Sequence, residues 1–223
     1  MFGRLPLIRM LELTAGGVGD RWQRMTALRQ TDSVNEIQPA ADADAARWLL
    51  EAGVPWQDLV NFGPPGFAAY VRIALSQTDV DNTSDERPVD TVRAALAVLA
   101  SYTATTDRGY AAVWEGWGGG PPSPQAPRVA IPHREMLLFA GCVESLRDAP
   151  ALAWYGSAEG VHQQPHLVWP DDHAWCLACE VDEEIEFTVG CSNDAAGALS
   201  SALPGAVRRV AYGEVVPTHG DEQ

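Results

Sequence analysis

The last third of the chain constrains the fold most. Ala174 to Val181 and Ile185 to Gly190 are short runs rich in β-formers, joined by the acidic turn Asp182–Glu184. Strands so close in sequence pair antiparallel, because a parallel pair needs a crossover of about a dozen residues or more. Ser192, Asn193 and Asp194 then offer N-cap acceptors for a helix to Ala202 that Pro204 and Gly205 stop, and Val207 to Tyr212 reads as a further strand. Strand pairs alternating with single helices define α+β, not a doubly wound parallel sheet.

The same grammar continues upstream. From Asp42, the positions Ala45, Trp48, Leu49 and Ala52 repeat at helical spacing and Gly53 suits the C-terminal end. Trp56 and Leu59 open a short turn that Pro64, Pro65 and Gly66 break, and Phe67 to Leu75 reads as a strand. Residues 77–90 read as an acidic loop, since Asp79, Asp81 and Asp85 lack the Gly and terminal Glu of a calcium loop. Pro88 opens a helix whose apolar face is Val92, Ala95, Leu96 and Leu99. Tyr110 to Trp117 and Arg128 to Ala140 read as neighbouring strands, with Pro132 an edge or bulge, and Val143 to Asp148 as a short helix. The expectation is a flexible N-terminal arm over 1–38, one α+β domain over 39–215 and a tail over 216–223. The sheet should be mainly antiparallel, with about five to seven strands and two or three helices packed on it.

Composition removes several chemistries. The 223 residues carry 15 cationic and 30 anionic side chains, a net charge of −15, and every cation is Arg. Without Lys there is no P-loop lysine, no Schiff base and no lysine general base. The acidic balance argues against nucleic-acid and anionic-membrane partners and favours a basic protein partner. Four cysteines in a chain of this length make no disulfide scaffold. Arg4 and Arg9 interrupt the apolar N-terminus, and no apolar run of about 18 residues occurs, so a cytoplasmic protein without signal peptide or membrane span is expected. Abundant Ala, Gly, Pro and Arg without Lys suggests a GC-rich genome.

The reactive residues have plainer readings beside the functional ones. Cys176 and Cys179 have a zinc-knuckle spacing, but inside a strand residues three apart point to opposite faces and cannot share one ion. They read as buried apolar cysteines, and neither metal nor cofactor is expected. Gly17 and Gly19 lack a preceding strand and a third Gly, so they make no dinucleotide loop. Cys191 or Ser192 at a strand-to-helix junction, with His133, His166 or His173 as base, would be a nucleophile, yet Ser192 is explained as a cap.

Four stretches resemble an uncharacterised family of actinobacterial proteins. They are Trp56 to Phe67 with Tyr70-Val71-Arg72, then Trp114-Glu115-Gly116-Trp117-Gly118, then Ile131-Pro132-His133-Arg134 with Leu138-Phe139, and Leu167 to Cys176 leading to Val181-Asp182. The resemblance spans about residues 45 to 215 and implies membership only; it carries over no activity, cofactor or catalytic residue. The first 40 residues fall outside it, as an early start codon would explain, with Met25 a later candidate.

The tryptophan motifs locate a candidate site. Segments 114–118, 131–134 and 169–175 each lie at a strand end beside Gly or Pro, where polar side chains escape the ladder. If those ends converge, Glu115, His133, Arg134, Asp171 and Asp172 rim a pocket floored by Trp114 or Trp117 and by Trp169, with Glu115 paired to Arg134. Aromatic walls with acidic tips suit a cationic peptide, so the leading expectation is an acidic binding protein, immunity- or antitoxin-like, that covers a basic partner. The alternative is a metal-independent hydrolase or transferase using Glu115, His133 or Asp171.

Overall fold

Residues 37–75, 90–116, 125–148, 165–181 and 185–215 are described by the computed structural model, and all belong to the compact unit Asn35–Gln223. The elements are β1 (Gln38–Pro39), α1 (Arg47–Leu50, led in by a 3₁₀ turn at Asp44–Ala46), α2 (Trp56–Phe62), β2 (Ala69–Ala74) and α3 (Asp90–Leu99). After them come β3 (Gly109–Trp114), β4 (Arg128–Ile131), β5 (Arg134–Gly141), α4 (Val143–Asp148), β6 (Leu167–Pro170), β7 (Cys176–Ala178), β8 (Glu186–Cys191), α5 (Asn193–Ala202) and β9 (Val207–Val210). The strands form one nine-stranded sheet in the order β1-β5-β3-β6-β7-β8-β2-β9, with β4 also on β5, and every pairing is antiparallel.

The fold class is the α+β class expected, with nine strands and, among the described residues, five helices. The extra strands have physical reasons. Arg128 to Ala140 is a hairpin, not one strand: Ile131 pairs with Arg134 across Pro132 and His133, whose φ is +64°. Pro cannot take positive φ, so the left-handed corner falls on His133, and no Gly announces it. Leu167–Pro170 is apolar but only four residues long, and its pairing with β3 makes it a strand. Gln38, placed in the arm by its sequence, already pairs with Ala140. Trp56–Phe62 is a helix rather than a turn, because Leu59, Val60 and Phe62 all find a buried face there. Residues 1–36, the 77–89 loop, Trp117 and the Asp182–Glu184 turn lie outside the described residues.

Both faces of the sheet are covered. Val71, Ile73, Ala111, Val113, Leu137, Phe139, Leu177, Phe187 and Val189 face α3, α4 and α5. Val92, Ala95, Leu96 and Leu99 of α3 are each 1% exposed or less, so the helical repeat seen in the sequence is the stripe that docks. Tyr110, Ala112, Met136, Leu138, Leu167, Trp169, Cys176 and Ala178 face the other way, under Leu49 of α1 and Leu59 and Val60 of α2. A sheet buried on both faces needs strands apolar at successive positions, as in Met136–Phe139, rather than alternating ones. The same pleat sends Cys176 into one core and Cys179 into the other, the opposite-face geometry that the strand reading requires. Among the described residues no helix is long and apolar enough to cross a membrane.

Candidate functional site

Strand β3 separates the expected site residues into two groups. Glu115 follows its C-terminal end, where the Glu115 N–H donates to the Glu135 carbonyl at 3.0 Å. Asp171 lies at the other end, its N–H donating to the Arg108 carbonyl at 3.0 Å. Arg108 and Glu115 stand seven residue steps apart along extended chain, about 23 Å at roughly 3.3 Å per residue. One pocket of ordinary size does not hold both, so the expected convergence of Glu115, His133 and Arg134 with Trp169, Asp171 and Asp172 is corrected to two clusters.

The Trp114 end holds Arg134, His133, Glu115 and Trp114. Arg134 Nε donates to Glu180 Oε1 at 2.6 Å, with the two side chains 17% and 13% exposed. Its guanidinium lies 5.4 Å from the Trp56 ring centroid and 5.8 Å from that of Trp114. His133, on the hairpin corner, sets its ring 5.2 Å from Trp56. The expected Glu115–Arg134 pair is not formed: Arg128 Nε donates to Glu115 at 2.8 Å, on a more exposed part of the surface. Glu180 wins Arg134 because the end of β7 runs beside His166, which lies against Ala112 and Trp114 of β3.

His166 is buried in this end. Its Nδ1 accepts the Trp114 backbone N–H at 2.9 Å, which places the ring proton on Nε2 in the neutral form. Burial pushes its pKa down to about 3, reinforced by Arg134 and opposed by Glu180. A histidine held neutral by burial is a structural acceptor over the physiological pH range. Two of the thiols are likewise held protonated: burial raises Cys176 far above its ordinary range and pushes Cys191 up to about 11 against the Arg209 charge. Ser192 is the α5 N-cap that the sequence indicates, its Oγ accepting the Ala195 N–H at 3.1 Å.

The Gly109 end holds Trp169, Asp171 and Asp172, with Trp48 and His173 beside them. Tyr110 and Trp169 are cross-strand partners, their rings stacked at 5.8 Å, and the Tyr110 hydroxyl donates to Asp171 Oδ1 at 2.8 Å. Arg108 Nε lies 3.6 Å from Asp171 Oδ1. Asp172 ties two loops together: it accepts from Thr103 Oγ1 at 2.8 Å, the Ala104 N–H at 2.6 Å and the Ala174 N–H at 3.1 Å. Partial burial works to raise the Asp172 pKa, but these donors outweigh it and hold the carboxyl below its ordinary value.

His173 closes the turn after β6, its N–H donating to the Pro170 carbonyl at 3.0 Å and its φ at +54°. There its imidazole lies flat on Trp48 of α1, with centroids 4.0 Å apart and planes 11° apart. Trp48 in turn meets Trp169 edge-on at 6.2 Å. The partial covering of the ring by Trp48 lowers the His173 pKa although the side chain is largely exposed, with Asp171 and Asp172 pulling the other way. The indole N–H groups of Trp48 and Trp169 are buried with no acceptor among the described residues. The sequence places Trp48 on an apolar helix face and offers His173 as a base for Cys191 or Ser192. Their stacking depends on α1 crossing the β6–β7 turn, which no local pattern announces.

The fold and these two clusters define an antiparallel α+β domain with aromatic, charge-paired sheet ends. No protein-family model, curated protein or solved structure matches the chain. Among the described residues no group of three or more His, Cys, Asp or Glu side chains is arranged to hold a metal ion.

Proposed function

We propose that the protein is an acidic cytoplasmic binding module for a basic protein partner, immunity- or antitoxin-like in its setting, engaged through the Gly109 end of the sheet. One observation carries this reading. The segments 42–51, 103–108 and 171–173 are linked there by the Trp48–His173 stack and the Asp172 hydrogen bonds, and they bear Asp42, Asp44, Glu51, Asp107, Asp171 and Asp172 against Arg47 and Arg108. Such a local excess of negative charge steers a basic partner and accelerates encounter. The enzymatic alternative, a hydrolase or transferase using Glu115, His133 or Asp171, would draw on one end of β3 only, since Glu115 and His133 stand at one end and Asp171 at the other.

The test is a pull-down from the native cell at low and moderate salt, repeated with two variants of equal charge change. Asp42→Asn/Asp44→Asn/Glu51→Gln neutralises the proposed face, and Glu144→Gln/Asp194→Asn/Glu214→Gln neutralises carboxylates elsewhere. A basic protein retained by the wild type and the second variant but lost by the first supports the reading. Equal loss with both variants, or only acidic partners, overturns it. An adjacent toxin or secretion gene would further support the immunity-like setting.

A further inference from the structure

Resting on that reading, we propose that the face of Trp48 is the seat of an arginine side chain of the basic partner, and that His173 occupies the seat when the partner is absent. The imidazole lies parallel to the indole at van der Waals separation, 4.0 Å between centroids and 11° between planes, the arrangement in which a planar cation best meets an aromatic face. Trp169, fully buried, packs edge-on against Trp48 and holds the indole in place. Asp171 and Asp172 adjoin His173 in the chain and put negative charge beside the ring. A guanidinium satisfies all three features at once: it is planar, weakly hydrated and permanently charged. An ammonium has the charge without the plane, so the seat discriminates Arg from Lys.

His173 is suited to the role of occupant. Its side chain is exposed, its backbone is in the left-handed region, and no hydrogen bond among the described residues fastens the ring, so a side-chain rotation clears the indole. The occupant competes with the ligand, and the stack it loses must be replaced by the incoming guanidinium. Removing the histidine side chain therefore tightens binding of an arginine ligand, the opposite of what loss of an ordinary contact residue does.

The experiment titrates the full chain with nona-arginine and nona-lysine peptides by calorimetry at fixed ionic strength, using the wild type, His173→Ala and Trp48→Leu. A carbon-13 label on the histidine rings reports whether the His173 resonance leaves the ring-current field of Trp48. The expected result is tighter binding of the arginine peptide to the wild type and displacement of the His173 signal. His173→Ala should raise arginine-peptide affinity about two- to tenfold, the equilibrium equivalent of one aromatic pair, and Trp48→Leu should abolish the preference. Because His173 is exposed, its variant keeps the test decisive if Trp48→Leu does not fold. Equal binding of the two peptides, with His173→Ala unchanged, overturns the arginine seat while leaving the acidic binding face standing. Peptide binding no stronger to the wild type than to Asp42→Asn/Asp44→Asn/Glu51→Gln refutes that face, and the seat with it.

Discussion

His166 makes folding sensitive to mild acid, and the size of the effect follows from its burial. The ring is neutral in the fold, with its pKa pushed down from 6.5 to about 3, and in the unfolded chain it titrates normally. The folded-state pKa is the depressed one, so its contribution to stability is present above pH 6.5 and is lost as pH falls toward 3. Between pH 7 and pH 4.5 the unfolded histidine takes up a proton that the folded one refuses, which removes about 2.5 kcal/mol of stability at roughly 1.4 kcal/mol per pH unit. At pH 4.5 the folded ring is still neutral, so this figure depends little on where its own titration falls. His166→Asn keeps an oxygen near Nδ1 to accept the Trp114 N–H but cannot take up a proton, so it serves as the reference. Urea unfolding of both proteins at pH 7 and pH 4.5 gives the comparison, because carboxylates elsewhere contribute equally to each. The wild type should lose about 2.5 kcal/mol more than His166→Asn over that interval. An identical loss in the two would mean that His166 is not held neutral by the fold, and the reasoning would fail.

Two further outcomes follow from the Trp114 end. Arg134 and Glu180 are largely buried together, so Glu180→Ala should cost about 2–3 kcal/mol, and the double variant with Arg134→Ala should cost clearly less than the sum of the singles; strict additivity in urea unfolding would contradict the pairing. Glu115→Ala breaks only the exposed pair with Arg128, where the side chains are 25% and 43% exposed, so it should change stability by less than about 1 kcal/mol. A fall in melting temperature as large as that of Glu180→Ala would show that Glu115 is more than a surface partner.

What the sequence determined by itself was local. The α3 stripe, the Ser192 cap, the β7–β8 hairpin and the short α4 helix each rest on spacing, capping chemistry or turn length within about a dozen residues, and all four are observed. The α+β class follows from the same signals. Their opposite-face geometry also separates Cys176 from Cys179, because the pleat alternates in any strand. The tertiary structure decided which ends of the strands meet. Antiparallel pairing of β3 with β6 carries Trp169 and Asp171 to the Gly109 end, while its pairing with β5 holds Arg134 at the Trp114 end. Strand order likewise gave Arg134 to Glu180 and left Glu115 to Arg128. The stack of His173 on Trp48 joins residues 125 positions apart (173 − 48), through the burial of α1 against the β6–β7 turn. Such contacts arise from the packing of whole layers, so no window of sequence contains them.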